Sequence, residues 1–202
     1  MPIPIKQAIK IGTYVMWQKL KGQERYPLVL MLEPLFRCNL ECIGCGKIQK
    51  PNEILNKNLT LDQCFNAANE CNAPVVSIAG GEPLMHPKIV EIVEGLIKQK
   101  RYIYLCTNAL LLKNFLGKLP ISPYLTLSIH LDGLEEDHDR IVDKKGVFKI
   151  AIESVREAKQ MGYRVTSATT FFEGTTVEQA ETFLDFLNPL GLDGVTLSSA
   201  FR

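Results

Sequence analysis

The sequence predicts an α/β protein: an open, partial (β/α)6 barrel preceded by an N-terminal amphipathic helix. Three observations predict it. Six short apolar runs alternate with helical patterns at the spacing that parallel crossover units require. The residues able to do chemistry fall at the C-terminal ends of those runs, where a parallel sheet or barrel gathers its active site. The stretch 124–132 also alternates, with Leu125, Leu127, Ile129 and Leu131 on one parity and Thr126, Ser128, His130 and Asp132 on the other. Alternation in a strand means one face toward helices and one toward a polar lumen, and a polar lumen suits a bound ligand.

Composition narrows the class. A chain of 202 residues can bury one real core, and 46% hydrophobic residues exclude disorder. A net charge of +1 gives no reason to expect a nucleic-acid partner. No stretch approaches the ~18 apolar residues of a membrane span. Six cysteines with no secretory leader lead to the expectation of a reducing, cytoplasmic compartment.

Taken in order, residues 1–25 form a basic opening segment, distinct from the 26–202 core. Ile5, Ile9, Gly12, Met16 and Leu20 make a stripe at helical spacing, and Lys6, Lys10, Lys19, Lys21 and Arg25 are opposed only by Glu24. A helix packed on the barrel is the expectation; an interfacial helix on an anionic membrane, a peripheral contact at the inner membrane face, is the competing reading. An apolar run at 28–33 is the first strand, and 46–59 reads as loop. A helix starts at Thr60, with Gln63 completing a capping box. Its apolar face includes Cys64 and Cys71, which are expected as buried packing thiols. Strand 75–79 ends in Gly80-Gly81-Glu82-Pro83 and leads to a helix over 87–100. Strand 102–106 runs into Thr107-Asn108, with a short helix near 110–117. After the strand at 124–130 come a helix at 147–161 closed by Gly162 and a strand at 163–170. A second capping box, Thr176 with Gln179, opens a helix that stops before Pro189, and the sixth strand lies at 193–198.

The loop after the first strand carries Cys38, Cys42 and Cys45 at C-x3-C-x2-C spacing. Thiolates are the natural ligands of iron–sulfur clusters, and a cubane cluster that only carries electrons is normally held by four. Three on one loop leave an iron open to a small molecule. Structural zinc asks for four ligands, usually in separated pairs, and a disulfide needs an oxidising compartment. Glycines at 80 and 81 permit close backbone approach to a polar ligand. His130 is a candidate substrate contact or a hydrogen-bonded structural residue, and His138 is expected in a solvated Asp-His-Asp loop.

The three-cysteine loop followed one strand later by Gly80-Gly81-Glu82 resembles the radical S-adenosylmethionine (SAM) superfamily, with Gly44 where an aromatic often stands. The segments from Glu33 to Leu40, Cys45 to Gln49, Ala73 to Pro83, Tyr104 to Leu112 and Ser128 to Gly133 resemble more narrowly the adenosyl-hopene transferase family of hopanoid biosynthesis. That resemblance implies a [4Fe–4S] cluster on Cys38, Cys42 and Cys45. The superfamily resemblance implies SAM held by Gly80, Gly81, Glu82 and Pro83, with Ser128 at its ribose; Asn108, Thr169 and Ser198, at the corresponding ends of the third, fifth and sixth strands, are further candidates on less specific signals. A bulky residue at Gly81 is then expected to weaken SAM binding and spare the cluster. The implied reaction adds a 5′-deoxyadenosyl radical to a hopene-type triterpene, with electrons from a donor such as a flavodoxin or ferredoxin. Cys106, on the polar parity of its strand, becomes the candidate catalytic hydrogen donor, the bland reading being a packing thiol. The family continues beyond the sixth strand, so the resemblance implies a C-terminally truncated chain. A radical SAM enzyme that abstracts hydrogen from another substrate, and a non-catalytic iron–sulfur fragment, are the competing functions.

Overall fold

The computed structural model describes residues 3–199. Residues 1 and 2 of the expected helical segment, and 200–202 of the expected core, lie outside the described residues. Six strands form one sheet: β1 (Val29–Leu32), β2 (Val75–Ile78), β3 (Tyr102–Thr107), β4 (Leu125–His130), β5 (Arg164–Phe171) and β6 (Gly194–Ser199). Their spatial order is their order in the chain, and every pairing is parallel. The sheet curls into an open half-barrel with β1 and β6 at its edges. Consecutive parallel neighbours need a crossover each time, and the helices supply it.

Those helices are α1 (Ile5–Leu20), α2 (Asn52–Leu55), α3 (Leu61–Cys71), α4 (Ile89–Lys98), α5 (Glu135–Ile141), α6 (Val147–Gln160) and α7 (Val177–Leu187). Both expected capping boxes are formed, at Thr60 with Gln63 and at Thr176 with Gln179. The core lies between the convex side of the sheet and the outer helices. Ile103, Leu105, Leu125, Leu127, Ile129 and Val165 meet Ile92, Leu96, Ala151, Val155 and Phe183 there. Each fully buried Val, Leu, Ile or Phe side chain of this set contributes about 1.5–3 kcal/mol. The opposite parity of β3 and β4, with Tyr104, Cys106, Thr126, Ser128 and His130, is thereby turned to the concave side.

Four features differ from the expectation. In β1, Leu30 and Leu32 belong to the core, but Val29 and Met31 are exposed, because an edge strand is covered on its helix side only. Cys64 is a buried core thiol as expected, whereas Cys71, in the last turn of α3, is half-buried. Two short helices, α2 and α5, occupy stretches too short and too polar to show a helical period. The largest difference is α1. It rests on the N-terminal ends of the strands through the side that carries Gln7, Lys10 and Tyr14, and the stripe of Ile5, Ile9, Met16 and Leu20 points away.

Candidate active site

The loop that leaves β1 crosses the C-terminal mouth of the half-barrel, and the end of β2 holds it there. Ala79 N–H donates to the Leu32 carbonyl (2.9 Å), Gly81 N–H to Leu35 (3.0 Å) and Glu82 N–H to Arg37 (3.0 Å), extending the β1–β2 ladder past the strands. The Arg37 guanidinium anchors the far side, on Asn58 Oδ1 (2.7 Å) and the Met85 carbonyl (3.1 Å). Gly80 has φ +108°, and a Cβ on it would run into the Leu35 carbonyl oxygen. A Cβ on Gly81 would lie 2.5 Å from the Arg37 carbonyl carbon and nearer still to the Arg37 and Phe36 carbonyl oxygens. The close backbone approach expected of these glycines is therefore made to the cysteine loop itself. A side chain at Gly81 displaces that loop, which corrects the expectation that it would spare the cluster.

Cys38, Cys42 and Cys45 are half-buried free thiols lining one cavity of about 180 Å³. Gly80, Gly81, Glu82, Cys106, Asn108 and His130 line the same cavity. Burial pushes the Cys38 thiol up; burial, then the charges of Cys38 and Cys45, push Cys42 up to about 12. Three thiolates crowded in this way call for a cationic partner, and an iron–sulfur cluster provides one. Among the described residues no three such groups stand close enough to share one metal ion, whereas a cluster places each thiolate on a separate iron. Asn108 Nδ2 donates to Asn39 Oδ1 (2.7 Å) and lies 3.7 Å from Cys38 Sγ, where it would tune a cluster held by that sulfur.

Glu82 is buried and its carboxylate is fully engaged. Oε1 accepts from Thr107 Oγ1 (2.8 Å) and Leu84 N–H (3.0 Å), and Oε2 accepts from Asn108 N–H (2.9 Å). Burial raises its pKa, and these bonds oppose the shift. The side chain ties the end of β2 to that of β3, leaving the backbone of 80–82 to face the cavity. Pro83 opens a 3-10 turn, Pro83–Met85, and is buried outside the cavity lining.

Cys106 faces the concave side as its parity requires. Its Sγ lies 3.5 Å from Ser77 Oγ, and Ser128 on β4 is its register partner. Burial raises this thiol's pKa, offset in part by the hydrogen bonds of Ser77 and Ser128. Ser77 was not singled out in the sequence, although it is the one polar residue in the run 75–79. A second cavity of about 520 Å³ adjoins the cysteine loop, lined by Cys42, Ile43, Cys45, His130, Ile141, Thr170, Phe172 and Ser198 among others. Ser198 Oγ lies 3.2 Å from Thr170 Oγ1. Thr169 lines neither cavity. It shares the helix-facing parity of Val165, is buried, and its hydroxyl has no partner among the described residues.

His130 borders both cavities and bonds through Nε2 to the buried Asp132 carboxylate. The other oxygen of Asp132 accepts from Thr170 N–H (2.7 Å), joining the ends of β4 and β5. His138 is not solvated: it is buried on α5, and its Nδ1 accepts from Asp132 N–H (3.1 Å). Burial, and then the nearby His130, hold its pKa down to about 4.

A parallel half-barrel with a three-thiol loop across its C-terminal mouth is the architecture of an iron–sulfur enzyme. The model of the radical SAM superfamily matches residues 32–187, and the chain belongs to that superfamily. Its cofactors are a [4Fe–4S] cluster and S-adenosylmethionine. The curated relatives include a GTP 3′,8-cyclase of Petrotoga mobilis, 28% identical over 156 residues, which cover 74% of this chain and 48% of that protein. A probable GTP 3′,8-cyclase of Methanococcus maripaludis is 25% identical over 174 residues, 84% of this chain and 57% of that one. The chain thus spans about half the length of the curated relatives it matches. The fold is shared with Streptococcus suis SuiB bound to S-adenosylmethionine, with TM-score 0.74 and 21% identity over 94% of this chain and 43% of that one. It is also shared with methylornithine synthase, with TM-score 0.66 and 18% identity over 92% of this chain and 57% of that one.

Proposed function

We propose that this chain is the radical SAM core of an adenosyl transferase acting on a hopene-type triterpene alkene. The observation that carries the reading is the second cavity beside the cysteine loop. Ile43, Ile141 and Phe172 give it apolar walls beside the polar Asp132, His130, Thr170, Ser198 and Ser199, and among the described residues neither it nor the thiol cavity is lined by a lysine or arginine. A hydrocarbon needs burial and no counter-charge. The sequence segments that resemble the adenosyl-hopene transferases supply most of the thiol cavity's lining and, in the second cavity, Cys45, His130 and Asp132.

With Cys38, Cys42 and Cys45 as cluster ligands and the 80–82 backbone beside them, the bound cofactors supply a 5′-deoxyadenosyl radical by reductive cleavage of SAM. The residues of the chain position the alkene and exclude water. Addition to the alkene forms a carbon–carbon bond and leaves a carbon-centred radical on the substrate. Cys106, kept as a thiol by burial, then breaks its S–H bond as the substrate's C–H bond forms. The sulfur radical that remains takes one electron from a flavodoxin- or ferredoxin-type donor and one proton from solvent.

The names of the curated relatives favour a second reading, cyclisation of GTP. A triphosphate would look for cationic partners, and those two cavities offer none among the described residues. Anaerobic incubation of the reconstituted chain with SAM and reductant, with either hopene or GTP, separates the two. Adenosylated hopane by mass spectrometry supports the transferase. Consumption of GTP with no change in hopene overturns it.

A further inference from the structure

The helix α1 is mounted with its apolar side outward. The opposite side makes the attachment: Gln7 is buried and donates to Tyr104 Oη (3.3 Å), the Lys10 ammonium bonds the Lys100 carbonyl, and Ile11, Tyr14 and Val15 are half-buried beside them. That ammonium also stands 5.7 Å and 5.8 Å from the ring centroids of Tyr102 and Tyr124, at the start of β3 and β4. The stripe that should drive folding is left in water, with Ile5 73%, Ile9 60%, Met16 59% and Leu20 75% exposed.

Charge identifies what this face meets. On a helical projection Lys6 borders one edge of the stripe and Lys19 the other, with Lys21 and Arg25 beyond the C-terminal end. The helix has no acidic residue, and Glu24 is the one acid in residues 3–25. An antiparallel second copy would bring Lys6 against Lys19, like charge against like. Exposed Trp17 lies beside the Lys6 edge, with the Lys21 ammonium 5.0 Å from its ring centroid. An apolar stripe edged by lysines with a flanking tryptophan fits the headgroup region of an anionic bilayer. No helix among the described residues is long and apolar enough to cross a membrane, so the contact is in-plane.

We propose that α1 docks the closed end of the half-barrel onto an anionic lipid surface, leaving the cysteine mouth at the other end clear. The proposal stands on α1 alone and does not depend on the substrate reading. The test is flotation of the full chain with phosphatidylglycerol–phosphatidylcholine vesicles and with pure phosphatidylcholine vesicles. Neither cluster nor substrate is needed, so failure here leaves the active-site reading untouched. The expected result is binding to the anionic vesicles, weakened by salt. Ile9→Ser/Met16→Ser is expected to reduce partitioning at least about tenfold, because two apolar side chains no longer bury. Lys6→Gln/Lys19→Gln is expected to reduce it about fivefold per lysine removed. All four positions are exposed, so unchanged circular dichroism certifies the fold of each variant. Equal binding to both vesicle types, absence of binding, or partitioning indifferent to these substitutions overturns the proposal. So does a vesicle-independent dimer that Ile9→Ser/Met16→Ser converts to monomer.

Discussion

Gly81→Ala puts the smallest side chain where the cysteine loop crosses the end of β2. The new Cβ would stand 2.5 Å from the Arg37 carbonyl carbon, with the Arg37 and Phe36 carbonyl oxygens closer still. Comfortable carbon–carbon separation is about 3.5–4.0 Å, so roughly 1 Å of movement is required. All three atoms are backbone, so no side-chain rotation relieves the clash. Relief breaks the Gly81→Leu35 and Glu82→Arg37 hydrogen bonds, each 3.0 Å long. Two such bonds contribute about 1 kcal/mol each, and overpacking adds about 1–3 kcal/mol, for a total of about 4 kcal/mol. Cys38 follows Arg37 directly, so the same movement takes a cluster ligand out of place. The assay pairs denaturant unfolding of the apo chain with iron and sulfide content after anaerobic reconstitution. Gly46→Ala is the control, because it sits in the same loop with nothing within 4 Å of its Cβ and an ordinary φ. Gly81→Ala is expected to lose about 4 kcal/mol and most of its iron, and Gly46→Ala little of either. Equal stability and equal iron in the two variants would refute the reasoning.

Single Ala substitutions of Cys38, Cys42 and Cys45 are expected to abolish cluster incorporation, whereas Cys64→Ala keeps the iron and costs about 1 kcal/mol for a small core cavity; retention of a full cluster by Cys42→Ala would contradict the assignment. Cys106→Ala is expected to bind the cluster and cleave SAM at the normal rate while yielding less reduced adduct and more diverted products; an unchanged product profile would reduce Cys106 to packing. His138 is held at about 4 in the folded state, against ~6.5 for a free imidazole. The unfolded chain therefore binds more protons between those values, and stability present above pH ~6.5 falls as pH drops toward 4. A shift of that size is worth about 3 kcal/mol, which His138→Gln should remove from the pH dependence of the unfolding free energy. Superimposable pH profiles for the two proteins would argue against it.

Much of the fold was legible because its signals are local. Parity alone oriented β3 and β4, and two Thr/Gln capping boxes marked the starts of α3 and α7. The cysteine spacing pointed to the loop at the mouth, and parity placed Cys106 beneath it. What the sequence could not show depends on partners far along the chain. Gly81 has its meaning only once Arg37 is packed against it. Glu82 reads as a ligand-facing carboxylate until Thr107 and Asn108 are seen to occupy it. Thr169 lies two residues before the end of β5, and one residue of register moves its side chain to the helix side and gives the concave position to Thr170. His138 sits among acids that suggest solvent, and α5 buries it all the same. The stripe on α1 was visible; which way it faces was not, since that depends on Gln7 and Lys10 finding the tyrosines at the base of the sheet.

The central claim is that Cys38, Cys42 and Cys45, carried on the Gly80–Gly81 crossing, hold a cubane cluster with one iron left for SAM. Electron paramagnetic resonance of the anaerobically reconstituted, reduced chain, recorded with and without SAM, tests it most directly. The account predicts about four irons per chain and a reduced-cluster signal that changes shape when SAM is added. One tightly bound, redox-silent metal per chain, or a cluster signal indifferent to SAM, would contradict it.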